Sequence, residues 1–455
     1  MTKNKTYKQI SATDYADVYY REYSIYINNA RAIPSVIDGM KPVQRKALFS
    51  AIKHCKSDFM KVSALSGSVI SEAAYHHGDV SVQEAVVGMA QDFNNNIPFF
   101  EGDGTFGTRL SPEAGAARYV FVKISNSYYD IFKDTDITLH SLDTNDHPEP
   151  MYYLPVIPNV LLNGVRGIAI GFATTIFPRS AKTLATACIE YLKTGKVTTN
   201  LLPYYEGFNG TIRDLPATNK FECEGVFKRI SKTKIQVTEV PIGITHEKYQ
   251  EHLNKLRDNK FIVGYIDNSD TIFNFEITLP NANDYSDELL KRELKLVANM
   301  SENIVVVNDF KYDAGSDRSN IAIKEYSNPV DVLTDFVDFR INFYDKRIAA
   351  NIARITSSIE ENENKIRFIT DVLSKKIKIG DLTRKDLITY MKDNKYNHDY
   401  IERIISMSIY NMTKDNMQKL NDDIAKLQKE LKVWQSSTAK DLYIKDLEEI
   451  QKKYN

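Results

Sequence analysis

Between Ile348 and Leu373 apolar residues return at alternating steps of four and three: Ile348, Ile352, Ile355, Ile359, Ile366, Ile369 and Leu373, with Asn362 at the one polar place in the series. Met417, Leu420, Ile424, Leu427, Leu431 and Trp434 repeat the alternation farther along the chain. A stripe of this period is one face of a helix, and two such stripes about 40 residues apart predict an antiparallel, coiled-coil-like pair of long helices. A polar residue such as Asn362 inside a seam fixes its register. At about 1.5 Å per residue, the outgoing helix from near Asp331 to Leu373 would reach about 60 Å, long enough to project as an arm. The segment between the stripes, "KIGDLTRKDLITYMKDNKYNHDYIERIISMSIYNM", is helical and apolar enough to form a small knob at the tip.

Ahead of this region the patterns are shorter. Over residues 1–155 brief helical patterns alternate with glycine and proline. Pro42 opens "PVQRKALFSAIKHC" as a helix, because a proline in the first turn lacks only a donor that would be unpaired there anyway. A second short helix is predicted over Ser66–Tyr75, and a third after Asp79, with Ser81 and Glu84 at capping-box spacing. A glycine-rich loop, "EGDGTFGTRL", then leads into a strand carrying Tyr119. Helices in close succession followed by strands predict a winged helix-turn-helix, which sets one helix in a DNA groove. Residues 156–328 are mixed: "EGVFKRISKTKIQVTEVPIG" reads as two strands about a short polar turn, and "HEKYQEHLNKLRDNKFIVGYID" as a helix followed by a strand. No catalytic cluster stands out in this stretch, which reads as a scaffold. The predicted fold class is therefore multidomain α+β, divided at 1–155, 156–328 and 329–455.

Composition supports a globular chain without narrowing its function. The 455 residues suit about three domains at about 150 residues each. Hydrophobic residues make up 42% and charged residues 26%, so sizeable cores can form. Cys55, Cys188 and Cys223 lie far apart, which argues for a reducing compartment and against disulfides or a zinc site. The N-terminus has no apolar signal core and no segment reaches about 18 apolar residues, so the chain is expected in the cytosol, neither secreted nor membrane-bound. The net charge of −1 does not mark a nucleic-acid binder. Its distribution is more informative: between residues 31 and 56 stand Arg31, Lys41, Arg45, Lys46, Lys53 and Lys56 against Asp38 alone. Such a cluster is either a solvated face or a phosphate-binding surface.

One dipeptide carries candidate chemistry. Arg118-Tyr119 is either a strand with one exposed charge or a tyrosine nucleophile beside the cation that stabilises what it attacks. Phenol has a pKa near 10 and is a weak nucleophile unless its surroundings favour phenolate. A guanidinium can give two hydrogen bonds to phosphate oxygens, where lysine offers a point charge. A tyrosine recombinase would want H-x-x-R and a rolling-circle nuclease H-x-H, and neither occurs. A non-enzymatic DNA-organising protein with a helical arm would need no such pair.

Four longer motifs resolve the choice. "RAIPSVIDGMKPVQRKAL" (31–48), "YHHGD" (75–79), "GDGTFGTRLSPEAGAARYVF" (102–121) and "IPNVLLNGVRGIAIGFATTIFP" (157–178) resemble, in sequence and order, the breakage–reunion subunit of type IIA DNA topoisomerases, the gyrase A and topoisomerase IV A kind. The organisation, without a large C-terminal extension, is similar to that of tailed-phage members. The resemblance covers nearly the whole chain. It implies a winged-helix DNA-binding domain, a mixed α/β tower domain and a long antiparallel coiled-coil arm whose helical knob is an exit gate.

By the same resemblance Tyr119 is the residue that attacks a DNA phosphodiester and becomes joined to the 5′-phosphate, with Arg118 stabilising the charge that develops. Arg31, Lys41, Arg45 and Lys46 correspond to basic residues that hold DNA phosphates. His77 corresponds to a histidine near the active site. His76 and His77 are adjacent here, as in eukaryotic members, which leaves open which of them points inward. Ile168 corresponds to a wedge that enters the base stack and bends the duplex. The implied activity is ATP-dependent passage of one duplex through a transient double-strand break in another. The implied partners are double-stranded DNA, a second copy of the chain meeting at head and gate, and a large subunit. The resemblance also places magnesium on that large subunit, and ATP is expected there too, since no G-x-x-x-x-G-K-[ST] loop marks a nucleotide site in this sequence. Asp134-Thr135-Asp136 is expected to be an exposed loop rather than a metal site. The long DNA-wrapping domain of gyrase is also absent, so negative supercoiling is not expected.

Overall fold

The computed structural model describes residues 10–134, 149–215, 220–311 and 321–454. Thr135 and Asp136 of the expected D-x-D loop lie outside the described residues. The chain forms two compact units: residues 1–340 with 444–455, and residues 341–443.

In the first unit, helices Pro42–His54, Val62–Glu72 and Asp79–Ala90 pack on one another beside a small antiparallel sheet. Its central strand, Phe121–Ile124, pairs with Met60–Lys61 on one side and Phe100–Asp103 on the other. Pro42 occupies the first turn of its helix as expected, and the Gln44 side chain accepts the Lys41 N–H at 2.9 Å, closing that end. Ala47, Leu48 and Ala51 turn one face of this helix into the core.

Three local expectations are corrected. The second helix starts at Val62 rather than Ser66, because the N–H groups of Val62 and Ser63 are satisfied at 3.0 Å by the carbonyls of Val120 and Ala117 instead of by a local cap. The third helix starts at Asp79 with Gly78 as its cap, so Ser81 and Glu84 lie inside it. Ser81 there donates to the Gly78 carbonyl and meets the Tyr75 hydroxyl at 2.7 Å, forming no capping box. Tyr119 lies on a turn just before the strand, not in it.

The middle of the chain follows its pattern closely. Val226–Arg229 and Lys234–Glu239 form the expected hairpin, and helix His246–Asp258 precedes strand Gly264–Asp267. With Phe275–Thr278 these strands make a four-stranded antiparallel sheet, whose Ile235, Val237, Phe275 and Ile277 pack on Tyr249 and Leu253 of the helix. A second hairpin, Val165–Ile168 with Ala173–Ile176, leaves its tip exposed. Residues 444–455 return to the first unit, where Lys133 binds Asp446 and Glu449 at 2.9 Å each and Lys453 binds Asp130 at 2.5 Å.

In the second unit, two long helical segments run antiparallel. The helix Pro329–Leu373 supplies one, and Lys414–Ser436 the return. The Tyr344 and Tyr443 rings stack at 4.5 Å while Arg354 pairs with Glu430 at 3.4 Å, so the two strands of the pair run in opposite directions. Met417, Leu420, Ile424, Leu427, Leu431 and Trp434 are all half-buried. On the outgoing helix Ile355 and Ile369 are buried and Asn362 half-buried, whereas Leu373, at the helix end, is 43% exposed. Short helices Arg384–Asp393 and His398–Ile405 close a separate small core of Phe368, Ile377, Leu387, Met391, Tyr400 and Ile404.

Candidate active site and nucleic-acid interface

Two features of the sequence dictate the setting of Tyr119. It follows, with Arg118 between, four small residues, Ala114, Gly115, Ala116 and Ala117, that let the chain approach its neighbours closely. It also precedes a strand that must register against two partners. The turn is fastened on one side by the first two N–H groups of helix Val62–Glu72, and internally by the Tyr119 N–H on the Ala116 carbonyl at 2.8 Å. On the other side the Gly115 N–H donates to the Thr105 carbonyl at 2.8 Å, tying the turn to the glycine-rich loop. Gly104, at φ +103°, packs against Val120 and the Tyr119 carbonyl, a backbone conformation and a clearance that a side chain would not share. Against this fixed backbone the Tyr119 side chain is 67% exposed, and the Arg118 guanidinium lies 4.9 Å from its ring centre. The phenol is thus presented to solvent on a rigid mount, with a cation beside it.

A second group of candidate residues gathers in a cleft of about 1010 Å³ lined by Arg31, Lys41, His77 and Arg166 among others. His77 is the half-buried member of the histidine pair and His76 the exposed one, so the inward residue is His77. Its Nε2 lies 3.0 Å from the Tyr26 hydroxyl, and the Tyr75 ring meets it edge-on at 5.2 Å. Burial, then the positive charges of Arg31 and His76, hold its pKa below the usual imidazole value, which favours a neutral ring able to take a proton. Lys41 reaches the Arg166 carbonyl at 2.8 Å, and burial lowers its pKa. Arg31 is exposed. Tyr119 and Arg118 are not among the residues lining this cleft.

Arg45 and Lys46 are corrections. Both are buried and committed inside the protein. Arg45 forms a two-pronged pair with Asp38, Nε to Oδ2 at 2.7 Å and Nη2 to Oδ1 at 3.0 Å. Lys46 binds Glu149 at 2.9 Å and the Ala73 carbonyl at 2.5 Å. A guanidinium whose donors face a buried carboxylate has neither the exposure nor the unspent charge to hold DNA. Ile168, by contrast, ends its strand at the hairpin tip and is 84% exposed, an apolar side chain with no core to fill.

No sequence motif marks Tyr26, the hydroxyl partner of His77. It stands among the closely spaced tyrosines Tyr15, Tyr19, Tyr20 and Tyr23, whose exposed side chains on a helical stretch gave no signal for it. The family pattern for the A-type chain of DNA gyrase/topoisomerase IV matches residues 31–448, which contain both groups of candidate residues. The chain belongs to this family. Within it, the chain is similar to the DNA topoisomerase medium subunit of Enterobacteria phage T4, with 33% identity over 439 residues, 94% of this chain and 96% of that protein. It is also similar to the mitochondrial DNA topoisomerase 2 of Dictyostelium discoideum, at 30% identity over 98% of this chain but 35% of that longer protein. Among solved structures, the Plasmodium falciparum topoisomerase II DNA-binding, cleavage and re-ligation domain superposes with a TM-score of 0.84 at 28% identity, covering 96% of this chain and 63% of that one. This family member therefore spans about the whole of its phage relative and about a third of the Dictyostelium one.

Proposed function

We propose that the chain is the DNA-breaking and rejoining component of a type II DNA topoisomerase. The observation that carries the reading is Tyr119: a solvent-facing phenol on a fixed turn, 4.9 Å from a guanidinium, in a matched member of the family. The tyrosine oxygen attacks a backbone phosphorus, the bond to the 3′-oxygen breaks, and that oxygen leaves with a proton as the 3′-hydroxyl. The product is a 5′-phosphotyrosyl diester, and reversal reseals the strand without a high-energy cofactor. Arg118 binds the phosphate oxygens as charge builds on them.

In this reading one copy supplies the nucleophile and a second copy the cleft, in keeping with the place of Tyr119 outside the lining of the cleft that holds Arg31, Lys41 and His77. This requires a homodimer, in which the nucleophile of one protomer meets Arg31, Lys41 and His77 of the other across DNA. Arg31 and Lys41 hold phosphates, His77 accepts a proton, and the helices around Pro42–His54 act as a winged-helix head. Ile168 wedges into the duplex and bends it. Residues 156–328 serve as the tower. The antiparallel helices and their knob, which exposes Tyr410, form the exit gate. Magnesium and ATP belong to a separate large subunit. Among the described residues no group of three or more His, Cys, Asp or Glu could hold a metal ion. Among them, too, no helix is long and apolar enough to cross a membrane.

The test is covalent trapping. Detergent quenching of the complex reconstituted with the large subunit, magnesium and ATP should leave wild-type protein joined to DNA 5′ ends. Tyr119→Phe should bind DNA as well but leave none. Cleavage by the phenylalanine variant would end this assignment.

A further inference from the structure

The glycine-rich loop that braces the tyrosine turn is itself held by the neighbouring four-stranded sheet. Arg109 leaves the loop and donates to the Val240 carbonyl at 2.7 Å, pairs with Glu239 at 2.7 Å, and lies over the Phe208 and Phe273 rings at 5.1 and 5.5 Å. Its neighbour Leu110 is buried in the same core as Ile235, Val237 and Phe275, and its carbonyl accepts the His246 N–H at 3.3 Å. From the helical side Gln91, also buried, donates to the Phe106 and Pro112 carbonyls at 2.8 and 3.1 Å, drawing the two ends of the loop together. Gly107 makes that closure possible: at φ +81°, a Cβ there would lie 2.7 Å from Pro112. The path to the nucleophile is short. Thr105, within the loop, accepts the Gly115 N–H, and Gly115 stands four residues before Tyr119.

We propose that Arg109 is a positioning residue for Tyr119: through Glu239 and Val240 it locks the glycine-rich loop to the four-stranded sheet, so that the tyrosine turn keeps its place only while this latch is closed. The proposal rests on the assignment of Tyr119 as nucleophile. Glu239 is suited to the task because it is buried and already receives the Asn209 and Val240 N–H groups at 3.0 Å each, which fixes its carboxylate before Arg109 arrives. A latch of this kind contributes to the reaction step more than to binding, since a displacement of about 1 Å at a nucleophile costs up to about a hundredfold in rate.

The experiment measures single-turnover formation of the phosphotyrosyl adduct on a nicked duplex, DNA affinity, and thermal midpoint, all in the reconstituted complex. Arg109→Met keeps an unbranched apolar side chain and removes the guanidinium that lies over the phenylalanine rings and binds Glu239 and Val240. It is expected to slow adduct formation by about tenfold to a hundredfold while leaving DNA affinity within about twofold. Arg109→Lys, which can still reach Glu239, is expected to recover most of the rate. Because Arg109→Met strands the Glu239 carboxylate, the double variant Arg109→Met with Glu239→Gln is measured alongside and is expected to stay as slow with a wild-type thermal midpoint. Unchanged rates, a parallel loss of affinity and rate, a lysine variant as slow as the methionine one, or recovery of rate in the double variant would each overturn the latch. Failure of the wild type itself to form an adduct would instead overturn the nucleophile assignment, so the two failures are distinguishable.

Discussion

Arg45→Met separates two roles that sequence alone gives to one residue. The carboxylate it would strand, Asp38, is fully buried and receives the Met40 and Tyr153 N–H groups at 2.9 and 3.2 Å besides the two guanidinium contacts. Removing one partner of such a pair costs about 3–5 kcal/mol, because a charge is left in a dry interior with only part of its hydrogen bonding. Unfolding entropy of about 2.1 cal/mol/K per residue, for a unit of roughly 350 residues melting together, converts this to a fall in Tm of about 4–7 °C. The DNA arm of the experiment has its own scale. Each phosphate neutralised contributes about 0.9 to the slope of log K against log salt. An internal Arg45 leaves that slope where it was, and a phosphate-binding Arg45 lowers it by about one contact. Denaturant unfolding and fluorescence anisotropy over a salt series measure both. Adding Asp38→Asn to Arg45→Met removes the stranded charge and should recover most of the lost stability. A slope reduced by about 0.9 with an unchanged unfolding midpoint would refute the buried-pair argument.

Two further perturbations test separate parts of the molecule. Ile168→Ala should leave DNA bound through the basic cleft but reduce the bend measured by fluorescence transfer, and cleavage with it; an unchanged bend would exclude the wedge. Burial, reinforced by the nearby Asp38, pushes the Asp309 carboxyl up to about 6 from an ordinary 3.8, so the folded state keeps a proton that the unfolded chain has released. This group's contribution is fully favourable below about pH 4 and is lost as pH rises to about 6, amounting to about 3 kcal/mol by 1.36 kcal/mol per pKa unit. Asp309→Asn should therefore be the more stable protein at pH 8, with a flatter profile between pH 4 and 6. A variant less stable at pH 8 would contradict the sign.

What the sequence disclosed depended on how local its physical cause was. The return helix was legible because a three–four repeat is a property of neighbouring residues: each of its six seam positions is half-buried at the register read from the pattern. The hairpin over Val226–Glu239 was legible for the same reason, a period-two pattern about a polar turn. The start of helix Val62–Glu72 was not. Its first donors are satisfied by Ala117 and Val120, more than 50 residues later, and no capping residue marks the place.

The basic cluster shows the same limit where it matters for function. Counting charges in a window treats every lysine and arginine as available, but availability is a three-dimensional property. Asp38 was in the window and Glu149 was not, and together they consume Arg45 and Lys46. Lys53 lies over the Phe49 ring at 4.1 Å on the exposed end of its helix. What remains facing the cleft from that window is Arg31 and Lys41, which flank His77, and Lys41 already spends one donor on the Arg166 carbonyl. The cluster therefore divides the work. Arg45 holds the loop at Asp38 and Met40 against its own helix, while Lys46 ties that helix to Ala73 and Glu149. Arg31 and Lys41 face the cleft and Lys53 and Lys56 stay exposed outside it, so the strength of DNA binding should follow at most four of the six cations in the window.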